Sequence, residues 1–286
     1  VDTTTRGTTD VIVNTTAGSV NTNGGKNVTV TGATAGVTVN EAKGAVSVNT
    51  GYEGTNYSAY YSTVYVSGGT TVAVNKAAAE LDADGQPTGT SSSASYNPEI
   101  QVGEDANIGA TSPTASGYPE IDANVKYQPT GNVTIKSYTD YVDTLGQASR
   151  VYNGGTVKVY SNGATAVSVG NAGAITIKDV QTALRKATAA STAVAGTSTL
   201  GSVTIDGSND AAAITSDALT SLKVVNTGSS SDVTVTNATT AGHTLALTLG
   251  NNASGTSVTD DTATSVTVTT EAQALSTAAN ASKANV

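Results

Sequence analysis

"VTVTGATAGVTVNEAKGAVSV", residues 28–48, contains one small pattern three times over. Each copy is Val-Thr-Val or Val-Ser-Val, and each begins nine residues after the last. Two Val flank one hydroxyl residue, so apolar and polar side chains alternate with period two, as in a strand with one buried face. The Gly and Asn of the spacers tolerate the positive φ of tight corners. The same triplet stands at 11–13 (VIV), 64–66 (VYV) and 72–74 (VAV). Strand starts at 11, 28, 37, 46, 64 and 72 describe a beat of about nine residues with two beats missing, which belong at Val20 and Thr55. Two beats make a coil of about eighteen residues with two faces.

The beat returns at 133–135 (VTI), 157–159 (VKV), 167–169 (VSV) and 175–177 (ITI), then at 203–205, 222–224, 233–235, 245–249 and 266–268. Antiparallel hairpins could produce a similar rhythm. Strands this short, with few Asn-Gly or Asp-Gly turns between them, favour stacked coils. Composition agrees. The 286 residues include no Phe, Trp, Met or Cys, and hydrophobics are 37% of the chain. A sandwich needs bulky residues to fill the space between its sheets, whereas a narrow coil is filled by Val, Ile, Leu and Ala. The expected fold is therefore all-β, a parallel β-solenoid or β-helix of short coils, with a β-sandwich as the alternative.

We divide the chain into N-terminal coils (1–76), a Pro/Tyr-rich excursion or small subdomain (77–130) and C-terminal coils (131–286). The excursion and its borders hold all five prolines, with one candidate strand at 99–102. Residues 179–192 (DVQTALRKATAAST) read as a short helix capped by Asp179, with Val180, Ala183, Leu184 and Ala187 on one face.

The stretch 201–270, with "VTIDGSND", "DALTSLKVVNTG", "DVTVTNAT", "LALTLGNNASG" and "VTDDTATSVTVTT", resembles the β-solenoid portion of bacterial surface-layer proteins and giant type I-secreted surface proteins of the repeat-in-toxin kind. "GGKNVTVTGATAGVTVNEAKGAVSV" resembles the same family more loosely. The resemblance implies an extracellular lattice or fibre protein, often assembled with calcium. That family's calcium ligands lie in Gly-Gly-Xaa-Gly-Xaa-Asp nonapeptides. "GGKNVTV", "GGTTVAV" and "GGTVKVY" keep the Gly pair but lack the Asp, so no ligand is transferred.

Charge excludes several functions. Thirteen basic residues stand against 22 acidic ones, a net −9, without the Lys/Arg clusters that nucleic acid or an anionic membrane surface requires. No apolar run is long enough for a membrane span. Without Cys there is no disulfide framework. A chain without Met is expected to be a processed product or a fragment.

Candidate ligands and contacts are few. Glu80, Asp82 and Asp84, followed by Gly85, have the alternate-residue spacing of an oxygen-lined Ca2+ loop, but Ser91 stands where the loop motif places Glu. Asp260 and Asp261, and Asp206 with Asp210, are weaker cation candidates. His243, the only histidine, reads as a surface corner residue without a catalytic constellation. No convergent Lys/Arg/Asp groove of a polysaccharide lyase is visible, so no enzyme is expected, a polysaccharide-active β-helix being the remote alternative. Thr29, Thr38 and Ser47 begin an outward hydroxyl rank of the kind that binds ice, and Tyr65 and Ala73 interrupt it. Seven Asn-Xaa-Ser/Thr sequons (Asn14, Asn27, Asn56, Asn132, Asn237, Asn252 and Asn280) permit glycosylation. All twelve tyrosines lie between Tyr52 and Tyr160, and five crowd into 51–66: Tyr52, Tyr57, Tyr60, Tyr61 and Tyr65.

These observations lead to the expectation of an extracellular structural protein that polymerises with copies of itself into a surface layer or fibre. Its contacts would be edge strands, including the N-terminal 1–14, and the Tyr-rich surface. The alternative is an adhesin or carbohydrate-binding module whose tyrosines stack on a cell-surface glycan.

Overall fold

The structure, a computed structural model, describes residues 1–5, 8–16, 18–52, 63–90, 99–105, 127–182, 197–228, 231–237 and 242–272. Ten coils follow one another, each adding one strand to sheet A and one to sheet B. The first four coils contribute β1 (Asp2–Thr4) and β2 (Val11–Asn14), β3 (Val20–Asn23) and β4 (Val28–Ala33), β5 (Val37–Ala42) and β6 (Val46–Thr50), and β7 (Val64–Gly68) and β8 (Val72–Lys76). A hairpin, β9 (Ala79–Leu81) and β10 (Pro87–Thr90), precedes the fifth coil, β11 (Glu99–Val102) and β12 (Val133–Lys136). A second hairpin, β13 (Tyr138–Val142) and β14 (Ala148–Tyr152), precedes the sixth, β15 (Thr156–Ser161) and β16 (Ala166–Gly170). The remaining coils are β17 (Ile175–Asp179) with β18 (Ser202–Asp206), β19 (Ala212–Thr215) with β20 (Ser221–Val225), β21 (Asp232–Thr236) with β22 (His243–Gly250), and β23 (Ser257–Asp260) with β24 (Ala263–Glu271).

Sheet A runs β1-β3-β5-β7-β11-β15-β17-β19-β21-β23 and sheet B runs β2-β4-β6-β8-β12-β16-β18-β20-β22-β24, so the fold is a parallel β-solenoid. Every pairing within the two long sheets is parallel and joins successive coils. The corners bond coil to coil as well: Gly44 N–H donates to Lys26 O, Thr70 to Gly44 O and Thr130 to Gly69 O.

Identical positions stack. In sheet B the inward rank Val11–Val28–Val46–Val72–Val133–Val167–Val203–Leu222–Leu247–Val268 runs the whole length. Sheet A opposes it with Val20–Val37–Val64–Ile100–Val157–Ile175–Ala212–Val233–Val258. Nearly all of these side chains are buried, and Val, Ile, Leu and Ala suffice to fill the core. β-Branched residues suit this stacking because their χ1 is already restricted in an extended chain.

Several sequence expectations change here. Val20 does begin a strand, β3, but Thr55 lies outside the described residues. The flanking strands β6 and β7 belong to sheets B and A in turn. The hydroxyl rank read along the chain mixes two faces: Thr29, Ser47 and Ala73 lie in register on sheet B, while Thr38 and Tyr65 lie on sheet A. Strand β11, inside the 77–130 excursion, is a full member of sheet A between β7 and β15. Residues 180–182 are helical and Asp179 Oδ1 accepts the Gln181 N–H at 3.0 Å, as a cap does; 183–192 lie outside the described residues.

Truncating a stacked core residue should be costly, and truncating an outward one should not. Ile205→Ala, at a fully buried position, is expected to lose about 2–5 kcal/mol. Thr134→Ala, exposed on the same sheet, should stay within about 0.5 kcal/mol. Urea denaturation followed by circular dichroism measures both.

Candidate interaction surface

Two hairpin insertions share one side. Coils 4 and 5 each carry a hairpin in the corner that leads from sheet B to the next strand of sheet A: β9–β10 after β8, and β13–β14 after β12. Because β8 and β12 are neighbours, the two hairpins lie side by side. Both hairpins close through the same turn. Asp82 Oδ1 accepts the N–H groups of Asp84 (2.9 Å) and Gln86 (2.8 Å), and Asp143 Oδ1 accepts those of Leu145 (2.9 Å) and Gln147 (2.8 Å). Gly85 and Gly146 follow at φ 76° and 77°, which favours Gly. The shared sequence is Asp-Xaa-Xaa-Gly-Gln.

The hairpins form one arm. Thr139 Oγ1, on β13, accepts the N–H groups of Ala78 (2.9 Å) and Ala79 (3.1 Å), and Gln86 Nε2 donates to Val142 O at 2.7 Å. The last contact brings the two tips together. There Leu81 (39% exposed), Val142 (57%) and Leu145 (82%) face solvent.

A polar and aromatic cluster fastens the stem of the arm to the solenoid. Gly170 and Gly207 provide seats: a Cβ on Gly170 would meet the Tyr138 ring at 2.4 Å, and one on Gly207 would meet the Tyr152 ring at 2.4 Å. The rings stand edge to face at 5.6 Å, and the Arg150 guanidinium lies 3.6 Å from the Tyr138 centroid and 5.5 Å from that of Tyr152. Arg150 also pairs with Asp140 on β13 and with Asp206 on β18, the latter at 2.5 Å. Tyr152 donates its hydroxyl to Asp206 Oδ1 at 2.5 Å, and Asn226 Nδ2 donates to the same oxygen at 2.7 Å. Burial, then the Asp206 carboxylate, push the Tyr152 phenol above its ordinary 10.0, although Arg150 opposes them. Burial works against the charge of Arg150, but Asp140, Tyr152 and Asp206 together hold its pKa above the usual value.

The sequence-derived sites fall in different places. Tyr52 sits at the corner after β6, where burial and then Glu80 push its phenol up. Tyr65 points out of sheet A, half-buried, and donates to Glu104; burial and that hydrogen bond push it up in turn. Tyr57, Tyr60 and Tyr61 lie outside the described residues. Asp82 is engaged by its own turn, while Glu80 and Asp84 are exposed. The turn at Asp143 uses Leu145 where the first has Asp84, so the Asp84 carboxylate is no requirement of the fold. Asp261 is exposed, and Asp210 accepts the N–H of its neighbour Ala211. Among the described residues no group of three or more His, Cys, Asp or Glu could hold a metal ion.

His243 is no surface corner residue. Its side chain is 16% exposed, and Nε2 lies 3.0 Å from Oδ2 of Asp260, which is 4% exposed. Asp260 Oδ1 also accepts the N–H groups of Thr262 (3.1 Å) and Ala263 (3.2 Å), so the pair ties coil 10 to coil 9. Three sequon asparagines are structural as well. Asn27 bridges Asp10 and the Ala45 N–H, Asn132 Oδ1 accepts the N–H groups of Thr165 and Ala166, and Asn252 Nδ2 donates to Val224 O.

Among the described residues no helix is long and apolar enough to cross a membrane. Comparison with family models, curated proteins and solved structures returns no match.

Because its folded pKa is raised, Tyr152 contributes stability that is complete below pH 10.0 and is lost as pH rises through the higher folded value. Without Trp, alkaline absorbance reports phenolate alone. Tyr152→Phe should remove one late-titrating tyrosine from that curve. Asp206→Asn should cost about 1–3 kcal/mol, the range for a lost hydrogen bond to a charged group, and speed protease cleavage within 143–147.

Proposed function

We propose that this chain is an extracellular structural protein, a β-solenoid rod that self-assembles laterally into a surface layer or fibre. One observation carries the reading: three large apolar side chains, Leu81, Val142 and Leu145, stand in solvent at the joined tips of an arm that belongs to neither long sheet. Exposed apolar residues gathered on a projection mark a protein contact more often than a free surface. The arm's stem is pinned by Arg150 and Asp206, so the tip is presented on a rigid base and little ordering entropy is lost on docking. The Tyr-rich segment 51–66 would extend the contact. The chain's acidity and lack of cysteine suit an extracellular lattice, and calcium is the cation such an acidic surface would recruit.

Electron microscopy of negatively stained protein, with calcium and with a chelator, tests this reading. Wild-type protein should form ordered sheets or fibres. Val142→Asp with Leu145→Asp should remain as single particles while keeping the wild-type circular dichroism and melting temperature. A wild-type chain that stays monomeric at high concentration in calcium overturns the proposal.

A further inference from the structure

Below the arm's stem an open groove of about 330 Å³ runs over the end of sheet B. Arg150 lines it from the arm, and Thr204, Asp206, Lys223, Asn226, Asn251 and Glu271 line it from the coils. Its floor follows one line of register, Asp206–Val225–Gly250–Glu271, across coils 7 to 10. At ~4.8 Å per strand that line is roughly 14 Å long and parallel to the rod axis. Gly250 leaves the middle of the line without a side chain.

The charges within the groove are already matched. Arg150 pairs with Asp206, and Lys223 reaches Glu271 at 2.6 Å. A phosphate or sulfate would have to displace a carboxylate, and a cationic ligand would have to displace Arg150 or Lys223. The polar groups of the groove nevertheless stay accessible: Lys223, Asn226 and Asn251 are half-buried and Glu271 is exposed. Asn251 Nδ2 donates to Asn226 Oδ1 at 2.8 Å, and Asn226 donates in turn to Asp206. The chain of amides ends at Asn251, which sits at the groove with its backbone at φ 52°. Lys223 and Glu271 are 38% and 46% exposed, and a pair so exposed is weak, so it can reorganise around a guest.

We propose that this groove is a binding site for a neutral, extended oligosaccharide. Sugar hydroxyls both donate and accept, and they match interleaved carboxylate, amide and ammonium groups whose net charge is small. The groove's size suits a small-ligand site, and a floor roughly 14 Å long suits a chain rather than a single ring. The site is independent of the arm tip, and neither Tyr52 nor Tyr65 lines it.

Isothermal titration of the full chain against neutral cello-, xylo-, manno-, malto- and chito-oligosaccharides, with oligogalacturonate as the anionic comparison, tests the assignment. At least one neutral oligosaccharide should bind, and Asn251→Ala and Lys223→Met should each weaken it about tenfold or more. Thr134→Ala, on the same sheet but outside the groove, should bind as wild type. Circular dichroism checks that each variant is folded, and Glu271→Gln provides a milder second test of the pair. No binding by any neutral member at millimolar concentration overturns the proposal. So does binding by oligogalacturonate alone, or wild-type affinity in both groove variants.

Discussion

The structure depends on the parallel register that sets each coil directly over the last. A coil of about eighteen residues cannot bury its apolar face alone. Stacked, it pairs its backbone with both neighbours and covers its valines with theirs. One rank on sheet B continues unbroken from Val11 to Leu247, and the polar atoms at the corners follow the same rule, as the ladder from Lys26 through Gly44 to Thr70 illustrates. Because the core is only two side chains deep, it needs no aromatic bulk. The absence of Phe and Trp follows from the architecture.

Such a rod tolerates insertion at its corners, since a loop there leaves both ladders intact. On one side of coils 4 and 5 the chain uses that freedom for two hairpins. The result differs in kind from the scaffold: antiparallel hairpins instead of parallel coils, Tyr and Arg instead of Val and Thr, and exposed Leu where the coils expose hydroxyls. Asp206 connects the two regions. It terminates a solenoid strand, yet it accepts from Arg150 and Tyr152 of the arm and from Asn226 of the next coil. Its position sets the angle of the arm and thereby one wall of the groove.

The coils were legible in the sequence because their signal is local and repeated. A Val-Xaa-Val triplet every nine residues needs no knowledge of distant contacts. The arm was less legible. Both hairpins carry Asp-Xaa-Xaa-Gly-Gln turns, and YTDYV and ASRVY alternate on either side of the second, a signal that would have found it. At Asp82 the turn was hidden by its likeness to a cation loop. His243 and Asp260 are 17 residues apart in the chain, and only the return of the next coil makes them partners.

By itself the sequence determined the strand period, the two-faced coil, the parallel all-β class and the acidic, aromatic-poor character of the surface, because each depends on residues within one or two coils. The tertiary structure alone decided which residues meet across the coils. Thr38 and Ser47 part to opposite sheets, two hairpins become one arm, and Arg150, Asp206 and Asn226 converge although 56 and 20 residues separate the partners. Those neighbours depend on the number of residues spent at each corner, and corner length varies freely while the strands stay in register.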